Sequence, residues 1–377
     1  MVLKKEHINY IAISLLISAL IVVGISQRAA KPKATAINFG ALFPLTGKFA
    51  NFGQDSQNGA LLALEKLKQA GEDVNIIFED SAADPKPALL GANKLVNVDK
   101  VKIILGSLGS SANLAVAPFM QENKVLFVAV SANPKLKDSG DYVFKLHPDV
   151  DGEVLQMTEY LVSRGLKKVA VIYDSSSDTN TVAKDIFAKQ FGQNGRETVS
   201  DGFDSRTTND FKTIITKLQS HNPEALYILT VDQPAAVIIK QAKELNFNVP
   251  YFGWSGLVSK QLSASAGPAA EGLMATDYAF SCNGTEQMRQ YCKDYGQKFP
   301  TVSPTEYGAH IYDAVNILAR LVKQYGSDTE KVRQGLLDLK NYNGISGPIS
   351  FDGKRYIQSQ DFVFRVVKDG QFTELDK

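Results

Sequence analysis

The sequence predicts an α/β fold: two similar doubly wound parallel-sheet lobes joined by a multi-strand hinge. Three observations carry this. Short apolar runs led by β-branched residues alternate with amphipathic stretches, the pattern of parallel strands covered by helices on both faces. The alternation runs twice, with a break at His147-Pro148-Asp149. A helix-rich block from Thr285 to Lys340 is then followed by short β segments, which can cross back and tie the lobes together. At 377 residues the chain is also too long for one ordinary core, taking roughly 150 residues per domain.

Taken in order, the chain starts with Lys4 and Lys5 ahead of an apolar run from Ile8 to Ile25. That is the plan of a secretory signal or a single membrane anchor. As a helix the run would span roughly 27 Å, enough for a thin hydrocarbon core. Ala34-Thr35-Ala36 offers a cleavage site, and no cysteine follows the run to take a lipid. Both readings stand, and both put the body of the protein outside the cytoplasm, because the lysines mark the cytoplasmic side. Residues 1–35 are therefore read as signal peptide or anchor plus an Ala/Lys/Pro linker.

The first lobe follows. Ile37 to Phe43 reads as a strand closed by Pro44-Leu45-Thr46-Gly47, and Asp55 to Ala70 as a helix with Ala60, Leu64 and Leu67 on one face. Val74 to Phe78 is the next strand, and Pro87 to Val98 a helix introduced by Asp84-Pro85. Val101 to Leu105, Val125 to Val130 and Asp141 to Leu146 supply further strands. In the second lobe, helices are expected over Gly152 to Arg164, Asp178 to Phe191, Asp210 to Ser220 and Pro234 to Leu245. Strands are expected at Lys168 to Tyr173, Thr198 to Phe203, Ala225 to Thr230 and Val249 to Phe252. Late in the chain come a helix from Tyr307 to Tyr325 and a final strand from Asp361 to Val367. The expected division is 36–147 with 280–346 as lobe 1, and 148–279 with 347–377 as lobe 2.

Composition narrows the function. Lys plus Arg (41) nearly balances Asp plus Glu (40), with no basic cluster, so nucleic acid is not an expected partner. The four histidines are scattered, and the two cysteines cannot build a zinc site. No metal or cofactor is expected. Export permits a Cys282–Cys292 disulfide; two free cysteines remain the alternative.

The most informative stretch is Val101 to Leu136. One strand ends in Gly106-Ser107-Leu108-Gly109-Ser110-Ser111, where glycines give backbone freedom and serines can cap a helix. The next ends in Ser131-Ala132-Asn133-Pro134. Ligands of open α/β sheets bind outside the carboxyl ends of the strands. A helix beginning near Ser111 would aim its positive end there. These turns are expected to form one wall of a small-molecule site that receives an anion such as a carboxylate.

The chain resembles the branched-chain amino-acid-binding type of periplasmic solute-binding protein, with the class I fold that serves ABC importers. The matching residues are Pro44-Leu45-Thr46-Gly47 with Gly53 and Gly59, Asp99-Lys100-Val101 leading into Ile104-Leu105-Gly106, and Ala115-Val116-Ala117-Pro118. Ser131 to Leu136, Val143-Phe144 and Tyr312-Asp313-Ala314 extend the likeness over nearly the whole exported part. The resemblance implies a ligand held between two lobes. It places the ligand-packing aromatic at Phe52 and the carboxylate-receiving serine at Ser110, preceded by Leu108 and Gly109. It places a small-residue turn at Ser131, Ala132 and Asn133. In the second lobe the family's aromatic contacts fall at Asp178 and near Asp232, and its ammonium-pairing acid falls at Ser255. A buried ammonium without a counter-charge is costly. So either Asp178 or Asp232 supplies the charge, or the ligand is an uncharged or anionic molecule such as an aromatic acid or amide. Asp178 also suits a helix N-cap, and Trp254, the sole tryptophan, either lines the cleft or packs in the core.

An exported hydrolase would need a G-x-S-x-G turn with a histidine available, and a dinucleotide enzyme G-x-G-x-x-G; neither is present. The expected function is thus a monomeric extracytoplasmic binding protein, not an enzyme. It would capture an amino acid or related carboxylate or amide and deliver it to a membrane-embedded ABC permease. The alternatives are a ligand-sensing subunit signalling through a separate membrane partner and an exported α/β hydrolase.

Overall fold

The computed structural model describes residues 37–106, 108–357 and 362–375. The apolar run at Ile8 to Ile25, the linker, Ser107 and the expected strand start at Asp361 lie outside the described residues. The chain divides into a unit Met1–Ile37 and a unit Asn38–Lys377, and the fold below is that of the second. No helix among the described residues is long and apolar enough to cross a membrane.

Five strands make the first sheet: β1 (Ile37–Phe43), β2 (Val74–Asp80), β3 (Ile103–Gly106), β4 (Leu126–Ala129) and β5 (Val143–Lys145). Their order is β2-β1-β3-β4-β5. The β1–β3, β3–β4 and β4–β5 pairs are parallel. Every residue of β3, β4 and β5 is buried, as apolar runs require of strands covered on both faces; the exception in type is Lys145 at the end of β5, which is paired with Asp149. Helix α1 (Ala50–Gln69) starts five residues before the expected Asp55. Gly53 explains the mismatch: it reads as a loop residue, yet a Cβ there would sit 1.9 Å from the Pro44 carbonyl oxygen. Helix α2 (Pro85–Asn93) is capped by Asp84, whose side chain accepts from Lys86 N, and it runs into a π-helical turn, Lys94–Val98. Helix α3 is Ser110–Glu122. Ala88, Leu95, Val116, Met120 and Phe127 pack beneath α2 and α3.

The second sheet has the order β14-β13-β10-β9-β8-β6-β7. Its parallel members are β6 (Lys168–Asp174), β7 (Glu197–Phe203), β8 (Ala225–Leu229), β9 (Tyr251–Gly253) and β10 (Met274–Tyr278). Strands β13 (Phe362–Lys368) and β14 (Gln371–Glu374) close one edge antiparallel. Helices α4 (Val150–Ser163), α5 (Asp178–Phe191), α6 (Lys212–Gln219), α7 (Asp232–Glu244) and α8 (Lys260–Ala266) accompany it.

Helices α9 (Glu286–Lys298), α10 (Glu306–Tyr325) and α11 (Thr329–Leu337) follow, and α10 returns to the first lobe. It lies so close to α1 that a Cβ on Gly59 would be 2.1 Å from the Gly308 carbonyl oxygen. Asp55 of α1 accepts from Thr305 Oγ1 at 2.6 Å and Gly308 N at 2.7 Å. A hairpin, β11 (Tyr342–Gly344) and β12 (Gly347–Ile349), is pinned to α10 by Asp313, which accepts from Ile345 N and Ser346 N. The chain then stays on the first sheet through Phe351, whose ring meets Phe144 at 5.3 Å, and Tyr356, bridged to Lys145. It enters the second sheet with β13. The lobes are thus joined by three passages of chain. A Cys282–Cys292 disulfide ties the second passage, after β10, to α9.

Candidate functional site

A cleft of 480 Å³ lies between the two sheets. Its walls come from the carboxyl ends of parallel strands in both lobes. Lys48 and Phe49 follow β1, and Ala82 to Pro85 follow β2. Leu108 to Ser111 follow β3, and Val130 to Ala132 follow β4. Facing them, Ser176 to Asn180 follow β6, Ser205 and Arg206 follow β7, Val231 follows β8, and Trp254 and Gly256 follow β9. Tyr307, in the first turn of α10, completes the lining.

In the first wall, Gly109 adopts φ 125°, a conformation open to glycine, and lets α3 begin at once at Ser110. No side chain caps this helix, so the expected serine cap is not formed. Ser110 Oγ instead lies 3.0 Å from Ser131 Oγ. Two hydroxyls carry two protons, and one suffices for their mutual bond; the other is left for a further acceptor. The first N–H groups of α3 also lack intrahelical acceptors, so this corner offers several donors and a positive dipole end.

The second wall repeats the device at the start of α5. Ser177, not Asp178, caps that helix, accepting from Asn180 N, and Asp178 is its first residue, exposed at the cleft. Asp178 N donates to Ser111 Oγ at 3.3 Å, joining the two walls. Thr179 and Asn180 are each 3% exposed, and Thr179 Oγ1 and Asn180 Oδ1 have no hydrogen-bond partner among the described residues. Polar atoms buried this way are rare unless something else meets them.

A second link across the cleft starts from the β1–α1 loop. Asp80 accepts from Leu45 N at 2.9 Å and from Thr46 N at 3.3 Å, and so fixes the Pro44-Leu45-Thr46-Gly47 turn. The turn delivers Lys48, whose Nζ reaches Asp174 Oδ2 at 2.9 Å and also contacts Ser176 and Ser205. Burial pushes the Asp174 carboxyl up, but the Lys48 charge and the serine hydrogen bonds outweigh it and hold it below the ordinary aspartate value.

The sequence-expected residues divide accordingly. Leu108, Gly109, Ser110, Ser131, Ala132, Asp178 and Trp254 line the cleft. Phe52 is buried behind the wall, edge-on to Tyr307 at 5.3 Å, so the aromatic surface in the cleft belongs to Phe49, Trp254 and Tyr307. Asn133 is fully buried and accepts from Lys135 N at 2.9 Å. Asp232 turns from the cleft to Ser259, and burial raises its carboxyl. Ser255 also turns inward: its N–H and Oγ donate to Glu153, the latter at 3.1 Å. Trp254 is oriented by its Nε1 donating to the Thr230 carbonyl at 2.6 Å.

Sequence reasoning missed Lys48, Glu153, Thr179 and Asn180. Lys48 was findable as a lone cation directly after a strand-end turn. Glu153 looked like an ordinary first-turn helix acid, and its burial pushes the carboxyl up to about 7. Among the described residues no group of His, Cys, Asp and Glu is placed to hold a metal.

A cleft of mixed polar and aromatic lining between two α/β lobes, hinged by three passages of chain, defines a two-lobed binding protein. A model of the periplasmic binding protein family matches residues 36–371, and the chain belongs to that family. The family is one of binding proteins that work outside the cytoplasm. The chain is 26% identical to the leucine-, isoleucine-, valine-, threonine- and alanine-binding protein of Pseudomonas aeruginosa, over 96% of this chain and 98% of that one. The structure of the leucine binding protein LivK from Thermotoga maritima aligns with a TM-score of 0.82 and 26% identity, covering 90% and 98% of the two chains. An ABC-transporter solute binding protein from R. palustris, solved with benzoate, aligns at 0.80 with 19% identity over 90% and 96%. At that identity the likeness is one of fold.

Proposed function

We propose that this protein is an extracytoplasmic solute-binding protein that captures a small carboxylate-bearing ligand between its lobes and delivers it to an ABC importer. The observation that carries the reading is the convergence of two helix N-termini on one cleft: α3 with Ser110 and Ser131, and α5 with Thr179 Oγ1 and Asn180 Oδ1, which have no partner among the described residues. The first corner suits a carboxylate, which accepts hydrogen bonds and is favoured at a helix N-terminus. The second offers a hydroxyl and an amide to the rest of the ligand.

The proposed lobes are 36–147 with 280–357, and 148–279 with 362–377; this moves the last boundary to where the chain leaves the first sheet. Ligand bridging both walls favours the closed arrangement, and the closed pair of lobe surfaces is what a membrane permease would engage. The ligands named for a relative (leucine, isoleucine, valine, threonine and alanine) and for a structural neighbour (benzoate) set the chemical range to search.

The test is a thermal-shift screen of amino acids, aromatic acids, short aliphatic acids and amides, followed by calorimetry on each compound that raises the melting temperature. Stabilisation by carboxylates, absent with the matching primary amides, is the expected result. A screen in which amides stabilise as well as acids would remove the carboxylate assignment.

A further inference from the structure

We propose that Lys48 is a specificity-determining residue: it supplies a built-in ammonium to the second wall, so that the cleft selects a carboxylate ligand that lacks an ammonium. The inference deepens the solute-binding reading and rests on it.

An amino-acid ligand needs an accessible carboxylate to face its ammonium, because an unpaired buried charge is costly. The acids around the cleft are committed elsewhere. Asp174 is the buried acid of the second wall, 1% exposed, and both its oxygens are occupied. Oδ1 accepts from Ser176 N at 3.0 Å, Ser176 Oγ at 2.6 Å and Ser205 N at 3.2 Å; Oδ2 takes Lys48 Nζ and Ser205 Oγ. Glu153 is filled by Ser255 and Thr276 behind the wall. Asp232 Oδ1 accepts from Ser259, and although its Oδ2 has no partner among the described residues, the side chain is not part of the cleft lining. Of the two acids in the lining itself, Asp84 caps α2 and Asp178 is exposed to water, where it gives an ammonium little compensation.

Of the two lining cations, Arg206 is exposed and held by Asp204, so Lys48 is the one that opposes an ammonium in this space. The deeper groups of the second wall, Thr179 and Asn180, are neutral. Such a wall suits an uncharged ligand end, with the hydroxyl of Thr179 and the amide oxygen of Asn180 open to a neutral polar group and no free carboxylate beside them. Lys48 is reached from the first lobe and Asp174 from the second, so the pair also forms only when the lobes meet.

Trp254, the sole tryptophan, lines the cleft and reports binding by its fluorescence. The experiment titrates the full mature protein with leucine, with 4-methylpentanoate (leucine's carbon skeleton without the ammonium) and with benzoate, and compares wild type with Lys48→Met and Lys48→Arg. In wild type, 4-methylpentanoate or benzoate binds at least tenfold tighter than leucine. Lys48→Met frees Asp174 and moves the acid-to-leucine ratio at least tenfold toward leucine, while Lys48→Arg leaves the ratio as in wild type. Tighter binding of leucine by wild type overturns the inference and leaves the solute-binding reading intact. Equal loss for all ligands in Lys48→Met also overturns it, since that is the signature of a clamp without selectivity. Failure of all three acids to bind the folded wild type overturns the carboxylate site and the inference together.

Discussion

Glu153 shows how far the chemistry of a side chain depends on where the fold puts it. Its partner Ser255 is 102 positions away in sequence, and Thr276 is 123 away. Burial raises its carboxyl from 4.5 to about 7, with the Ser255 and Thr276 hydrogen bonds only partly offsetting this. The folded protein therefore holds a proton there that the unfolded chain releases, and the contribution to stability falls as pH rises from about 4.5 to 7. Glu153→Gln removes the titration. Urea unfolding should find it more stable than wild type at pH 8 by on the order of 2 kcal/mol, with the advantage gone at pH 5; an advantage that is the same at both pH values would refute the assignment. Ser110→Ala tests the opposite wall: calorimetry should show a carboxylate ligand weakened by about 1–3 kcal/mol, because its buried acceptor loses a donor. Ser110 and Ser131 were legible in the sequence because strand-end turns announce themselves locally. The pairing of Lys48 with Asp174, the burial of Glu153 and the inward turn of Ser255 were not, since each depends on a partner more than a hundred residues distant.

Among the elements, those read correctly are those whose signal is local. Helix α5 matches its expected bounds because an Asp-Thr-Asn start and an apolar stripe are enough. Strand β10 was missed because Met-Ala-Thr-Asp-Tyr has no apolar run; its Thr276 and Asp277 are satisfied by Glu153 and Arg365 from other elements. Helix α8, short and serine-rich, was missed too, although Ser259 caps it through Leu262 N. The α1–α10 contact carries a prediction at this scale. Gly59 faces the backbone of Gly308, so an added methyl cannot be absorbed by a rotating side chain. Gly59→Ala should force the helices apart and cost about 1–3 kcal/mol in chemical denaturation, the usual range for overpacking. Unchanged stability would mean that the two helices do not meet as closely as described.

At the scale of the whole molecule, alternation, chain length and the late helical block were enough to predict two hinged lobes. The place where the third passage leaves the first sheet was not predictable, because Phe351 and Tyr356 are held there by Phe144 and Lys145, far back in the chain. The Cys282–Cys292 bond stabilises the second passage by restricting the unfolded chain. Replacing both cysteines by serine should lower the unfolding free energy by about 2–3 kcal/mol, and wild type under reducing conditions should behave alike. The interleaving of the lobes has a further consequence for biosynthesis. Strands β1 to β5 leave the ribosome well before α10, the helix that covers α1 and carries Tyr307 into the cleft. In a chain exported N-terminus first, the first lobe stands with that face open until Tyr325 has emerged, and its last strap waits for Tyr356. Neither half can mature alone as the chain emerges, so final assembly of the cleft waits for the last residues of the chain.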